Sequence, residues 1–130
     1  MSHLSLTATD EELVQFVDGW ARLMEAEDYG AACAYTGHSP HMSWTPKLLC
    51  DVIKAYNESL PTQRVTVAGV PTDITQRKDV HRYSAPRAGV LGYIWYDLNI
   101  DGLASDLTAT FNIHEDANGL VIVLDDIHVM

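Results

Sequence analysis

Along this chain the apolar positions recur first at helical spacing and later at every second residue. Leu13, Phe16, Val17, Trp20, Leu23 and Met24 form one stripe, which predicts an amphipathic helix of about four turns. Thr9-Asp10-Glu11-Glu12 stands just before it. That string is a capping box, in which the Thr9 hydroxyl accepts from the Glu12 amide while the Glu12 carboxylate reaches back to Thr9. Asp10 and Glu11 complement the positive end of the helix dipole. The helix is expected to end near Asp28. Gly19 weakens it by up to ~1 kcal/mol relative to Ala, unless close packing needs the missing side chain.

Tyr29-Gly30-Ala31-Ala32-Cys33-Ala34-Tyr35 predicts a short second helix closed by Gly37, with a loop over residues 38–43. Thr45-Pro46 opens a third helix, a capping residue followed by proline at the first helical position. Leu48, Leu49, Val52, Ile53 and Tyr56 form its apolar face, and Pro61 stops it. Residues 63–70 read as a strand and Pro71-Thr72-Asp73 as a turn. Residues 74–88 have little periodicity and hold four of the eight basic residues, Arg77, Lys78, Arg82 and Arg87. They predict a short strand over 80–84 and then an exposed loop.

From residue 89 the period becomes two. Ile100-Asp101-Gly102-Leu103 is an Asp-Gly hairpin turn and residues 115–119 are a second turn signal, so the last third reads as three antiparallel strands. A two-residue turn pairs Ile94 with Ala109, Tyr96 with Leu107, Gly92 with Phe111 and Val90 with Ile113, all on the core face. The other face then carries Tyr93, Trp95 and Asp97 opposite Thr110, Thr108 and Asp106. Asp97 across from Asp106 is repulsive, which fits a solvated face or a cation or basic partner group between the two. In the last strand Leu120, Ile122 and Leu124 alternate with Val121, Val123, Ile127 and Val129, so both faces are apolar. One face packs on the helices. The other, with Tyr93 and Trp95, exposes more apolar surface than a monomer usually shows, and a homodimer through this outer sheet face is expected.

Composition narrows the function. The 130 residues fit one domain over 1–130, with 47% hydrophobic and 20% charged residues and no repeats. Eighteen acidic against eight basic residues give a formal charge of −10. That balance opposes binding to a nucleic-acid backbone, whose affinity comes from Lys and Arg displacing counterions. It favours solubility and would steer in a basic partner. No apolar run approaches the ~20 residues that span a bilayer. The first residues carry neither a basic nor an apolar export segment, so a cytoplasmic location and thiol forms of Cys33 and Cys50 are expected.

The helix, short helix, helix, curved-sheet order resembles the NTF2-like (cystatin-related α+β) superfamily. The strings Tyr96-Asp97-Leu98, Ser105-Asp106-Leu107-Thr108-Ala109 and Asp126-Ile127-His128-Val129 also resemble a group of bacterial domains of unassigned function. The resemblance implies an NTF2-like α+β cone, with N-terminal helices packed on a curved antiparallel sheet and a pocket at the wide end. It also implies frequent homodimers through the sheet. It carries no reaction, since the superfamily includes isomerases, dehydratases, epoxide hydrolases and non-catalytic binding domains.

Asp126 and His128 are two apart on a strand, so both point to one face and Asp125 to the other. If the even-numbered face is inward, a carboxylate and an imidazole share the pocket as an acid/base pair, with Tyr35, Tyr56 or Tyr96 as a hydroxyl donor. Terminal strand ends are often simply solvated, which is the plainer reading. Tyr35, Trp44, Tyr56 and Trp20 are candidates for lining a mouth of the cone. Trp20 fits the core stripe better, and Trp44 fits a staple onto the third helix. The ligand-binding set is therefore Tyr35, Trp44, Tyr56 and Tyr96. His38-Ser39-Pro40-His41 with Cys33 and Cys50 invites a metal, but Pro40 breaks the helical geometry two such histidines need; no metal or other cofactor is expected. Asn57-Glu58-Ser59 is a formal glycosylation site without export. No phosphate loop, nucleophile elbow or dinucleotide fingerprint is present.

These readings converge on a binding domain without turnover, holding a small apolar molecule or a protein partner. One version is an acidic inhibitor or immunity-type protein facing a basic partner. The alternative is an isomerase- or hydrolase-type enzyme using Asp126 and His128.

Overall fold

The capping box, the helical stripes and the two-residue turns build three helices on one side of a curled sheet. The computed structural model describes residues 3–39, 43–56, 60–72 and 76–129. The elements are α1 (Asp10–Glu25), α2 (Tyr29–Tyr35), β1 (Gly37–His38), α3 (Pro46–Ala55), β2 (Val65–Thr66), β3 (Lys78–Arg87), β4 (Val90–Ile100), β5 (Leu103–Asp116) and β6 (Gly119–Val129). The sheet order is β1-β6-β5-β4-β2, and β3 shares with β2 the same partner, β4. The sheet curls into a half-barrel around the helices, a cone-like α+β fold. The pairings between these strands are antiparallel except β1 with β6, which is parallel, as is an isolated bridge of Val70 with Leu103.

α1 starts where the sequence places it. Thr9 accepts from Glu12 N at 3.1 Å and Thr9 N donates to Glu12 Oε1 at 3.0 Å, worth about 1 kcal/mol to the helix start. Its stripe of Leu13, Phe16, Val17, Trp20 and Met24 is buried. Thr45 caps α3 through the Leu48 amide, with Pro46 in the first turn. These stripes meet the inward residues Ile94, Tyr96, Leu98, Ala109, Phe111, Ile113, Leu120, Ile122 and Leu124 in one apolar cluster. Trp20 sits edge-on against Phe111, with centroids 5.2 Å apart. The space inside the curl is therefore occupied by side chains.

Residues 74–88 differ from the expectation. In place of a short strand and a loop, β3 runs ten residues, Lys78–Arg87, against β4. It is joined to β4 by a turn with positive φ at both Ala88 (51°) and Gly89 (78°). An edge strand charged on both faces shows no apolar alternation, which is why its length was hidden. The 63–70 strand contracts to Val65–Thr66, and residues 37–38 add a parallel strand where a loop was expected. The turn at Pro71-Thr72-Asp73, the loop at Pro40 to His41 and the Asn57-Glu58-Ser59 site fall wholly or partly outside the described residues.

The hairpin register is also corrected. Asp101 and Gly102 form the two-residue turn, both at positive φ, and Asn99 pairs with Ala104 as expected. Between that pair and Asp97–Thr108, three residues of β5 oppose one of β4. This bulge moves the partners by two: Ile94 faces Phe111, Tyr96 faces Ala109, and Asp97 faces Thr108 rather than Asp106. A shift of two keeps Gly92, Ile94, Tyr96 and Asp97 on their expected faces. It also removes the acid–acid repulsion, since Asp106 instead accepts from the Tyr56 hydroxyl at 2.5 Å. A second bulge, at Leu91, pairs Val90 with His114 instead of Ile113 and turns Val90 from the expected core face to the outer one.

Candidate functional site

Which side of the sheet each C-terminal residue faces is decided by one more bulge. Up to Leu124 the even residues of β6 point inward, as Leu120, Ile122 and Leu124 do. Asp125 is then an extra residue, because Thr110 pairs with Asp126 while Phe111 pairs with Leu124. A single inserted residue reverses the parity of the positions beyond it. Ile127 therefore turns inward, and Asp126 and His128 turn to the opposite side, beside Thr110 and Thr108. The bulge leaves the Asp125 carbonyl out of the ladder, and the Trp44 indole N–H satisfies it at 3.2 Å.

Asp126 and His128 thus share a face, but it is the face away from the helices. Asp126 Oδ2 lies 3.0 Å from His128 Nδ1, with the side chains 47% and 38% exposed. Nδ1 is not aligned for a hydrogen bond to that oxygen, while Asp126 Oδ1 accepts from the Ile127 amide at 2.9 Å. The pair is open to water rather than enclosed, so its geometry suits recognition of a charged group better than acid/base chemistry in an apolar pocket.

The same face carries a polar hub. Asp97, only 6% exposed, accepts from Thr108 Oγ1 at 2.6 Å, from Trp95 Nε1 at 2.8 Å and from the Arg77 amide at 2.7 Å. The Arg77 guanidinium lies 4.6 Å from the centre of the Trp95 ring and its Nε reaches Asp79 at 2.9 Å. Next to it, His81 stacks on Tyr93 with centroids 5.1 Å apart, and Tyr83 stands 6.2 Å from Tyr93. His81, Tyr83, Arg87 and Val90 border a surface groove of about 370 Å³. Sequence reasoning placed Tyr93 and Trp95 on this face and missed His81 and Tyr83; their shared parity with Asp79 was the available signal.

The four aromatic candidates do not converge. Tyr35 donates to the Phe16 carbonyl at 2.8 Å and stacks on the Phe16 ring at 4.4 Å, under α1. Trp44 is buried against the β6 bulge. Tyr96 donates to Asp18 at 2.5 Å. Tyr56, bonded to Asp106, lines a shallow groove of about 200 Å³ with Gln63, Leu103 and Ser105. Burial raises the pKa of Tyr35, Tyr56 and Tyr96, and bonds to Asp106 and Asp18 add to it for the last two. Each phenol is thus held neutral and already partnered.

Cys33 Sγ lies 3.6 Å from His38 Nε2, and burial raises its pKa, which disfavours the thiolate. His38 Nε2 also meets the Cys33 carbonyl at 2.8 Å. Both cysteines are free thiols. His41 is outside the described residues. Among the described residues, no helix is long and apolar enough to cross a membrane.

The fold and this face define an α+β half-barrel with its interior filled and one sheet face open. Residues 21–130 match the family model described as Domain of unknown function (DUF7668), and the chain belongs to that family. No curated protein and no solved structure matches the chain.

Proposed function

We propose that this chain is a non-catalytic binding domain for a basic protein partner, in the manner of an inhibitor or immunity-type protein, with an NTF2-like ancestry and a cytoplasmic location. The supporting observation is the contrast between the two sides of the sheet. The helix side is filled by Trp20, Phe111 and their neighbours, while the other side displays Tyr83, Tyr93, Trp95, Asp126 and His128 around a buried carboxylate hub. Aromatic side chains on a firm sheet, with Asp79 and Asp126 on the same face, supply contact area and charge selectivity together. The charge of −10 sets the sign of the partner. A filled interior and an open Asp126–His128 pair favour binding over turnover.

Selection of a random peptide library on the immobilised chain tests this reading. Lys- and Arg-rich sequences should be enriched and bind saturably, one per chain. Enrichment of acidic sequences, or a saturable apolar small molecule displacing no peptide, would overturn it.

Self-association through the same face is a second reading, favoured by the stacked His81–Tyr93 pair and the exposed Tyr83. The surplus of apolar surface that first suggested a dimer is smaller than expected, because Val121 and Val123 are each only 6% exposed within one chain. Sedimentation at micromolar concentration distinguishes the two, a monomer removing this second reading.

A further inference from the structure

β3 has a partner on one side only. Its register with β4 places Lys78 opposite Tyr96 and Val80 opposite Ile94, and the Arg77 carbonyl accepts from Asp97 N at 2.9 Å. In an antiparallel ladder, main-chain groups of successive residues point to alternate sides. Since Arg77 faces β4, Asp79 and His81 do so too, and Lys78 and Val80 aim their N–H and C=O groups at the free edge. No described strand pairs with that edge.

The edge is not bare. A groove of about 610 Å³ runs between it and the first half of α1, lined by Glu11, Val14 and Asp18 from the helix and Lys78, Asp79 and Val80 from the strand. The side chains of Lys78 and Val80 point to the helix side and that of Asp79 to the other, so a groove touching all three touches the strand's backbone. Its width is thus bounded by a row of unsatisfied peptide groups on one wall and a helix on the other.

We propose that an extended segment of a basic protein partner enters this groove and pairs with β3 as an added strand, a step that rests on the function proposed above. Backbone pairing with Lys78 and Val80 supplies affinity, and alternate side chains of the segment face α1. One apolar side chain would meet Val14 and Val80, and a lysine or arginine two residues on would meet Asp18 and Glu11. Those two carboxylates are in no ion pair with a described residue, whereas Asp10 is held by Arg82 and Asp79 by Arg77. A second copy fits less well, because antiparallel pairing about Val80 sets Lys78 of one chain against Arg82 of the other.

The test is titration of the isotopically labelled full chain with a short peptide of alternating valine and lysine. The expected result is saturable binding, with the Lys78 and Val80 amides shifted and slowed in hydrogen exchange. N-methylation of alternate peptide amides, or Glu11→Lys in the chain, should weaken binding by about tenfold or more. Shifts confined to Tyr83, Tyr93 and Trp95, with N-methylation without effect, would overturn the edge site and leave a basic partner standing. Failure of this peptide to bind while library-selected basic peptides do bind would also overturn it. Failure of every basic peptide would remove the function itself.

Discussion

The Tyr96 hydroxyl donates to Asp18 Oδ1 at 2.5 Å, joining the middle of β4 to the middle of α1. The ring is almost fully buried, and Lys78 Nζ lies 4.7 Å from its centre. Tyr96→Phe leaves the packing in place and deletes a hydrogen bond to a charged acceptor, so it should destabilise the chain by about 1.5–3 kcal/mol in urea unfolding. A loss below a few tenths would mean that the bond is not formed in solution.

Alkali should reveal the same residue. Burial, the bond to Asp18 and the Asp18 charge raise its pKa above the ordinary value of 10.0. A group that holds its proton more tightly when folded contributes stability that is complete below the unfolded pKa and drains as pH rises above it. Stability should therefore fall from pH ~10 upward, and Tyr96→Phe should flatten that limb. Absorbance titration should show Tyr29, Tyr35, Tyr56 and Tyr96, all raised, ionising late and together with unfolding. Ordinary titration of all six tyrosines before unfolding would contradict this.

Gly19 gives a result opposite to helix propensity. A Cβ there would stand 2.3 Å from the Tyr35 hydroxyl oxygen and 3.0 Å from its ring carbon, and that hydroxyl is fixed to the Phe16 carbonyl. Alanine gains up to about 1 kcal/mol of helix propensity, but the forced repacking costs roughly 1–3 kcal/mol. Gly19→Ala should thus destabilise the chain in thermal unfolding, and Tyr35→Ala should abolish or reverse the penalty of adding it. A more stable single variant would show that Tyr35 can move aside.

Asp97 holds three donors, Trp95 on its own strand β4, Thr108 on β5 and the Arg77 amide just ahead of β3. Asp97→Ala leaves them unsatisfied in a site nearly closed to water, at a cost of about 3–5 kcal/mol. The loss should be accompanied by faster hydrogen exchange at the start of β3, whose entry is fixed by the Arg77 amide. Uniform loosening of the sheet without that local effect would argue against the hub.

Acid should act through two surface carboxylates. The Lys54 ammonium bonded to Glu27 at 2.5 Å, and His3 bonded to Asp116 at 2.8 Å, hold those carboxyls below their ordinary values. Their contributions are complete above the unfolded pKa, near 4.5 for Glu27 and 3.8 for Asp116, and fade as pH falls through the lower folded values. Lys54→Met should lower stability at neutral pH and flatten the acid limb of the stability curve, the difference from the parent chain vanishing as pH falls below the folded pKa of Glu27. An unchanged acid limb would show that Glu27 contributes nothing to it.

The parts legible in the sequence were those fixed by local chemistry. Thr9 with Glu12, Thr45 with Pro46 and Asp101 with Gly102 each set an element boundary within a few residues of itself. What could not be read were the insertions, which depend on how two strands settle against each other. The bulge of β5 moved Asp97 from Asp106 to Thr108 without changing its face. The bulge at Asp125 changed the face, and so carried Asp126 and His128 out of the interior. β3 stayed hidden because an edge strand bordering a charged groove has no reason to alternate apolar with polar. Composition did set the sign of the surface, which no register shift alters.

The most direct measurement is the rate at which library-selected basic peptides associate with the chain as ionic strength is raised. An acidic, surface-exposed recognition site steers its partner over a screening length of about 8 Å at physiological salt. The association rate should fall by about tenfold or more between low and physiological salt, with a smaller change in dissociation. A rate indifferent to salt, or one rising with it, would contradict a charge-guided binding domain.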